Sequence, residues 1–324
     1  YRVMTESAVL MAEVSGRLRH EAEGPADFPA VGDFVMLDRE SDAGGHAIIH
    51  HVLPRKSAFI RKAAGTAQEE QVVASNIDTV FICMAMNKDF NLRRLERYLA
   101  IGWDSGAAPV VVLTKSDLCG HPAERLAETQ SVAIGADVIM TTTQGGGDFE
   151  AAMPYMRPGQ TVAFIGSSGV GKSTLINGLA GEEMFATGGL RNDDKGRHTT
   201  TRRELIKLPD GAMVIDTPGM RELGVESADL DRAFADIEAL AEECRFRDCT
   251  HTTEPGCAVL RAVEDGALGA DRFASYQKLK KEAGYEGLNS RQIEAKKLER
   301  MFESVGGMKN ARRFMKEKDK RRKR

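Results

Sequence analysis

A glycine-rich segment of the chain has the residue types that wrap around phosphate groups. Residues 166–173 read GSSGVGKS and fit the spacing GxxxxGK[ST]. Glycines let the backbone turn its N–H groups toward phosphate oxygens, the lysine adds positive charge, and the serine hydroxyl can bind Mg²⁺. A short apolar run (163–165) precedes the segment and a helix-like run (174–179) follows it. This order of strand, loop and helix predicts a phosphate-binding loop, whereas a chance glycine-rich turn would lack the flanking elements. The predicted contacts are Gly166, Ser167, Ser168, Gly169, Val170, Gly171, Lys172, Ser173 and Thr174.

A second polar motif follows another apolar run, residues 109–113, which is typical of a buried parallel strand. It consists of Thr114, Lys115, Ser116 and Asp117 and fits the pattern [NT]KxD. The Asp117 carboxylate can accept hydrogen bonds from N1 and the exocyclic amine of guanine, a donor pair that adenine lacks. Ligands bind where such strands end. Because a four-residue match is common by chance, the motif alone is weak evidence.

The order of the motifs is unusual. In ordinary GTPases the base motif follows the phosphate loop, whereas here it comes about fifty residues earlier. The remaining parts follow the loop: GRHTTT at residues 196–201, and a strand-like run that leads into DTPG at residues 216–219. The chain therefore reads as a circularly permuted GTPase that binds GTP with Mg²⁺. The predicted Mg²⁺ ligands are Ser173, Thr200 and Asp216, with Gly219 near the γ-phosphate and Thr142 near the base, mainly through its backbone N–H.

The residue that orients the attacking water is not in its usual place. The position after DxxG, which usually holds a glutamine, is Met220, and a thioether cannot orient water by hydrogen bonding. His198, beside the threonines of GRHTTT, is therefore the predicted catalytic residue. A structural or RNA-facing role for this histidine is the alternative.

Three thiols and one imidazole lie close together further along the chain. Cys244, Cys249, His251 and Cys257 have the spacing C-x4-C-x-H-x5-C and supply the donors of a closed tetrahedral zinc site. The alternative is that these are merely buried side chains. The residues between them are mostly polar and cannot bury much surface, so a metal would supply the missing folding energy. One structural zinc ion per chain is predicted.

These motifs together resemble the RsgA/YjeQ family of ribosome small-subunit-dependent GTPases over nearly the whole chain. The resemblance implies GTP hydrolysis to GDP and phosphate, stimulated by the 30S subunit during its late maturation, and contact with 16S rRNA. The alternative function is a nucleotide-gated rRNA-binding adaptor in which hydrolysis is incidental.

Three domains are predicted. Strand-like runs punctuated by Gly and Pro indicate a small β-barrel over residues 1–65, for which the family resemblance implies an OB-fold. Residues 66–226 form the permuted α/β GTPase domain, and residues 227–324 form a zinc-binding domain with a helical, basic C-terminal arm. Residues 308–324 contain ten basic and two acidic residues, whereas the whole chain has a net charge of −3. This contrast favours contact with RNA phosphates over a solubilising tail. Arg55 and nearby cations form a smaller basic segment, either for RNA or as a solvated linker.

The composition excludes several classes of protein. The chain has 324 residues, of which 29% are charged, and no apolar run approaches the length that spans a bilayer. No signal-peptide pattern is present, and five cysteines suit a reducing compartment better than a disulfide scaffold. A monomeric cytoplasmic protein is expected.

Overall fold

The computed structural model describes most of the 324-residue chain. The described residues are 1–41, 45–62, 70–142, 149–181, 204–216 and 229–284.

Four short strands near the N-terminus form the first sheet. They are β1 (Arg2–Met4), β2 (Val9–Val14), β3 (Val35–Leu37) and β4 (Ala47–Val52), with α1 (Gly16–Glu21) after β2. Their order in the sheet is β1-β2-β4-β3; β2 and β4 run parallel, and the other pairs are antiparallel. Alternate side chains point to one face, where Leu10, Ala12, Ala47 and Ile49 form a small core. The strand-like runs predicted from the sequence in this region form strands.

A two-stranded hairpin connects this sheet to the rest of the chain. It consists of β5 (Ala58–Lys62) and β6 (Glu70–Ser75). Nearby, the Arg55 guanidinium forms a bidentate pair with Asp33 and donates to the backbone oxygens of Ala26 and Phe28. Arg55 is therefore committed to internal contacts, which argues against both functions considered for it from the sequence.

The largest sheet has six strands, with helices between them. Its elements are β7 (Thr79–Ala85), α2 (Leu92–Asp104), β8 (Ala108–Thr114), α3 (Pro122–Val132), β9 (Asp137–Met140), β10 (Thr161–Ile165), α4 (Lys172–Ala180), β11 (Glu204–Lys207) and β12 (Met213–Asp216). The strand order is β11-β12-β10-β7-β8-β9, and all neighbours are parallel except β11 and β12. A short 3-10 helix, Glu150–Tyr155, lies between β9 and β10.

Both faces of this sheet are covered, which explains why its central strands are continuously apolar. One face packs against α2 and α3 through residues such as Leu95, Leu99 and Val132. The other face packs against α4 through Leu175 and Ile176. The phosphate-loop helix and the helix between β7 and β8 therefore lie on opposite sides of the sheet.

Four further helices form a C-terminal unit that packs against α2. They are α5 (Leu230–Ala233), α6 (Ala235–Glu242), α7 (Ala258–Glu264) and α8 (Ala270–Ala283). Their apolar core is built around Phe234, Ile237 and Tyr276, and it includes Ala100 and Trp103 of α2. The C-terminal unit thus rests on the helix that precedes the base-motif strand. In the part of the chain that the structure describes, no helix is long and apolar enough to cross a membrane.

Candidate nucleotide site and metal centre

The two nucleotide motifs meet at one edge of the large sheet. Strands β8 and β10 both run parallel to β7, which lies between them, so their C-terminal ends face the same edge. The Lys115 ammonium donates to the carbonyl oxygen of Gly169 at 2.6 Å, across 54 residues of chain. The buried Thr114 hydroxyl donates to the carbonyl oxygen of Val170. The base motif therefore holds the phosphate loop directly, a contact that the sequence did not reveal.

The phosphate loop has a backbone that only glycine can adopt at its first position. Gly166 has φ +146°, and a Cβ atom there would lie 2.4 Å from the carbonyl oxygen of Cys83. The Lys172 ammonium donates to the carbonyl oxygens of Gly166 and Ser167 at 2.9 and 2.8 Å. Gly171, with φ +100°, caps α4, whose first N–H groups and helix dipole favour an anion. The helix predicted to follow the loop is confirmed.

The base motif is held by the segment that follows β9. Lys115 has a left-handed backbone, φ +57°, at the start of a 3-10 helix. Ser116 donates from its hydroxyl to the Thr141 carbonyl oxygen at 3.2 Å. The Thr142 hydroxyl donates to Asp117 Oδ1 at 2.8 Å. The carboxylate that would read guanine is therefore oriented by the side chain of Thr142, for which the sequence suggested mainly a backbone role.

The other predicted nucleotide contacts are only partly described. Strand β12 ends at Asp216 beside β10, so its backbone leads to the edge of the sheet that carries the phosphate loop. Ser173 and Thr174 lie half-buried in the first turn of α4. The predicted His198, Thr200 and Gly219, together with Met220 and residues 308–324, lie outside the described residues.

The four predicted metal ligands come together in the C-terminal unit. One donor atom from each of Cys244, Cys249, His251 and Cys257 lies within 4.8 Å of the others. The Cys244 sulfur is 3.8 Å from that of Cys257 and 3.7 Å from His251 Nδ1. Tetrahedral sulfur ligands at about 2.3 Å from zinc would lie about 3.8 Å apart, so the donor types and spacing suit this ion.

The environment of the cluster shifts the pKa values of its side chains in different directions. Burial lowers the pKa of His251, which keeps the imidazole neutral. Burial acts to raise the pKa of Cys244, but N–H donors from Val259 and Ala258, together with the Cys257 and Cys249 side chains, lower it overall. Cys257 is the N-cap of α7, and its sulfur accepts the N–H of Leu260. The neutral imidazole and the lowered pKa of Cys244 favour metal binding, whereas desolvation raises the pKa of Cys249 to about 11, so a metal ion would have to displace that proton.

Two residues outside the ligand set shape the metal loop. The Glu254 carboxylate accepts the backbone N–H groups of Thr250, Thr252 and Thr253 at 2.8–3.0 Å. Gln277 of α8 donates to the carbonyl oxygen of His251, whose backbone is left-handed with φ +55°. The loop is thus held in shape by contacts that do not involve the four donors. For the contacts of Glu254, the only signal in the sequence was its position three residues after His251, a predicted ligand.

Comparisons with known proteins agree with this geometry. The sequence profile described as RsgA GTPase matches residues 52–226. A relative from Lactiplantibacillus plantarum, named Small ribosomal subunit biogenesis GTPase RsgA 2, is 54% identical over 310 residues, which cover 95% of this chain and 87% of the relative. A relative from Methanosarcina acetivorans, named Small ribosomal subunit biogenesis GTPase RsgA, is 44% identical over 96% of this chain and 84% of its own length.

Solved structures have the same fold. YjeQ from Thermotoga maritima superposes with a TM-score of 0.62 and 25% identity, over 85% of this chain and 90% of that one. A structure described as YloQ, a circularly permuted GTPase, gives a TM-score of 0.59 and 24% identity over 87% of this chain and 90% of that one. Because the two superpositions cover 85% and 87% of this chain, the similarity extends beyond the large sheet. From the profile match and the identity to its relatives, the chain belongs to the RsgA GTPase family.

Proposed function

We propose that this protein binds GTP with Mg²⁺, hydrolyses it to GDP and phosphate, and acts in late maturation of the small ribosomal subunit, which stimulates its turnover. The observation that carries the proposal is the meeting of the base motif with the phosphate loop, through Lys115 with Gly169 and Thr114 with Val170. Relatives named as small ribosomal subunit biogenesis GTPases supply the process.

Each motif has a role in this proposal. Asp117 reads N1 and the amine of guanine, and Thr142 orients its carboxylate. Lys172 and the N–H groups at the start of α4 neutralise the β- and γ-phosphates, because the ammonium group and the positive end of the helix dipole both lie at the phosphate loop. Ser173, Thr200 and Asp216 hold Mg²⁺, and Gly219 contacts the γ-phosphate.

The proposed catalytic residue is His198. Its place beside the threonines of GRHTTT would bring it to the γ-phosphate side of the site, and Met220 offers no hydrogen bond to water. The subunit would stimulate hydrolysis by positioning His198 at the nucleotide, because catalysis of phosphoryl transfer consists largely of positioning and charge stabilisation.

The proposed domains are an OB-fold over residues 1–65, the permuted GTPase domain over 66–226, and a zinc-binding domain with a basic arm over 227–324. The four-stranded N-terminal sheet and the Cys/His cluster support the first and third domains, whereas the β5–β6 hairpin spans the proposed boundary at residue 65. The zinc ion is structural in this proposal, since three thiols and one imidazole complete a tetrahedral shell. Residues 308–324 contact 16S rRNA, and the protein acts as a monomer in the cytoplasm.

Measuring GTP turnover with and without purified 30S subunits tests the proposed function. We expect turnover to rise by orders of magnitude with 30S, and His198→Ala to abolish most of that rise while GTP affinity stays unchanged. Removing residues 308–324 should weaken 30S binding and flatten its salt dependence. If 30S binds the protein without changing turnover, an adaptor with incidental hydrolysis would be the better description.

A further inference from the structure

An aromatic ring lies against the phosphate-loop helix where a methyl group would not fit. Gly178 is in the interior of α4, and a Cβ atom built on it would lie 2.0 Å from the Phe149 ring. Glycine is less stable than alanine inside a helix, because it loses more backbone freedom on folding. The position of the ring therefore accounts for the missing side chain at residue 178.

Phe149 is the N-cap residue of the 3-10 helix Glu150–Tyr155, which connects the ring to β9. The Phe149 carbonyl oxygen accepts the N–H of Ala152 at 2.9 Å, so the ring sits on the first turn. At the last turn the Tyr155 hydroxyl donates to Asp137 Oδ2 at 2.7 Å. Asp137 is the first residue of β9. The short helix thus spans from the phosphate-loop helix to the edge strand of the sheet.

Strand β9 leads to the residues that hold the base motif. After β9 ends at Met140, the Thr141 carbonyl oxygen accepts from Ser116 and the Thr142 hydroxyl donates to Asp117. Described contacts therefore run without a break from α4, through the Phe149 ring and β9, to the carboxylate of Asp117. This route is separate from the one through Lys115 and Gly169.

We propose that Phe149 and Gly178 are a positioning pair that sets where Asp117 stands relative to the phosphate-loop helix, and so contributes to guanine selectivity. The inference rests on the proposed function, because it needs one nucleotide to reach both places. A methyl group at residue 178 would push the ring, the 3-10 helix and β9 outward. Thr142 would then displace the Asp117 carboxylate through their hydrogen bond. Affinity for the guanine base would fall more than affinity for the phosphates.

The test compares dissociation constants for GDP and IDP in nucleotide-binding titrations. The base of IDP lacks the exocyclic amine of guanine, so the dissociation constant for IDP divided by that for GDP reports on the Asp117 contact. A lower ratio means weaker selection of guanine. We expect Gly178→Ala to weaken GDP binding by about tenfold and to lower the ratio, since a displaced carboxylate loses most of a charge-assisted hydrogen bond to the base. Phe149→Leu alone should also lower the ratio, because the contact is lost. Combined with Gly178→Ala, the smaller side chain should restore it.

The matched control is Gly16→Ala, a helical glycine at which a Cβ atom meets nothing within 4 Å. It should leave both constants unchanged. Wild-type protein that binds GDP no better than ADP would contradict the proposed function itself. Wild-type protein that selects guanine while Phe149→Leu and Gly178→Ala leave the ratio unchanged would overturn this inference alone. A double variant that regains its melting temperature but not the IDP-to-GDP ratio would also overturn the inference. The contact between Phe149 and Gly178 would then serve only the stability of the fold.

Discussion

Arg272 of α8 and Glu96 of α2 form an ion pair at 2.9 Å, and both side chains are at least nine-tenths buried. Arg272 also donates to both carboxylate oxygens of Asp236, at 2.5 and 2.7 Å, and its guanidinium lies over the Phe234 ring. One guanidinium therefore joins the C-terminal unit to the helix that precedes the base-motif strand. Because α2 packs against β7 and β8, the C-terminal unit rests on a helix that contacts the strand ending at the base motif.

Arg272→Met should loosen the C-terminal unit strongly. It leaves Glu96 buried with only Arg93 as a charged partner, and breaking a buried pair on one side costs about 3–5 kcal/mol. Urea unfolding would measure the loss, and adding Glu96→Gln should recover part of it. The matched control is Arg97→Met, which removes a half-exposed pair with Glu282 between the same helices and should cost below about 1 kcal/mol. Equal losses of unfolding free energy in Arg272→Met and Arg97→Met would contradict the claim that burial makes the Arg272–Glu96 pair the more important one.

The pH dependence of stability should carry a contribution from Glu96. Burial raises the pKa of Glu96 above its usual 4.5, although Arg93 and Arg272 act in the opposite direction. The folded protein then holds this proton more tightly than the unfolded chain, so the Glu96 contribution to the unfolding free energy falls as pH rises from 4.5 through the raised pKa. Glu96→Gln should remove this fall. Parallel pH profiles of the wild-type protein and the variant would show that the carboxyl titrates normally.

Thr114→Val should weaken nucleotide binding through the phosphate loop. The substitution keeps the volume but leaves the carbonyl oxygen of Val170 without its buried donor, at a cost of about 1–3 kcal/mol. We expect the dissociation constant for GDP to rise by about fivefold to a hundredfold in calorimetric titrations.

Thr129→Val is the control for this substitution. Its buried hydroxyl donates to the Arg125 carbonyl oxygen at 2.8 Å on α3, away from the loop. It should change the stability of the fold less, because the Arg125 carbonyl oxygen keeps its helical N–H donor, and it should leave GDP affinity unchanged. An equal loss of GDP affinity in both variants would mean that Thr114 acts only on stability.

Local motifs could be predicted from the sequence because their structure depends on near neighbours. The phosphate loop, its helix and the strand before Thr114 follow from glycine spacing and apolar runs, and all three are present. The four metal ligands were also predicted, since metal sites demand particular donor types. What these features share is a physical requirement expressed over a few consecutive residues.

The contacts that join the motifs could not be predicted in this way. Lys115 and Gly169 are 54 residues apart, and nothing in either segment indicates the pairing. From the sequence, Gly178 is only a residue that destabilises a helix; its packing against the Phe149 ring is visible only in the structure. The function of Arg55 was open for the same reason, because its partner Asp33 is 22 residues away and brought near only by folding.

Purified protein should contain close to one zinc ion per chain, held by the Cys/His cluster. Cys249→Ser removes one of four thiolate or imidazole donors, and we expect metal analysis to show most of the zinc lost. Cys119→Ser is the control, since Cys119 lies outside the cluster. Equal zinc content in the two variants, or no zinc in wild-type protein purified without chelators, would rule out this centre.

The central claim is that Asp117 reads guanine although it precedes the phosphate loop in the chain. Competition between GTP and XTP for the wild-type protein and for Asp117→Asn tests this claim most directly. The amide replaces a carboxylate oxygen with a donor, which suits the additional oxygen of xanthine and no longer suits the amine of guanine. We predict that the wild-type protein prefers GTP and that Asp117→Asn prefers XTP. A folded Asp117→Asn protein that still prefers GTP would contradict the permuted assignment of the site.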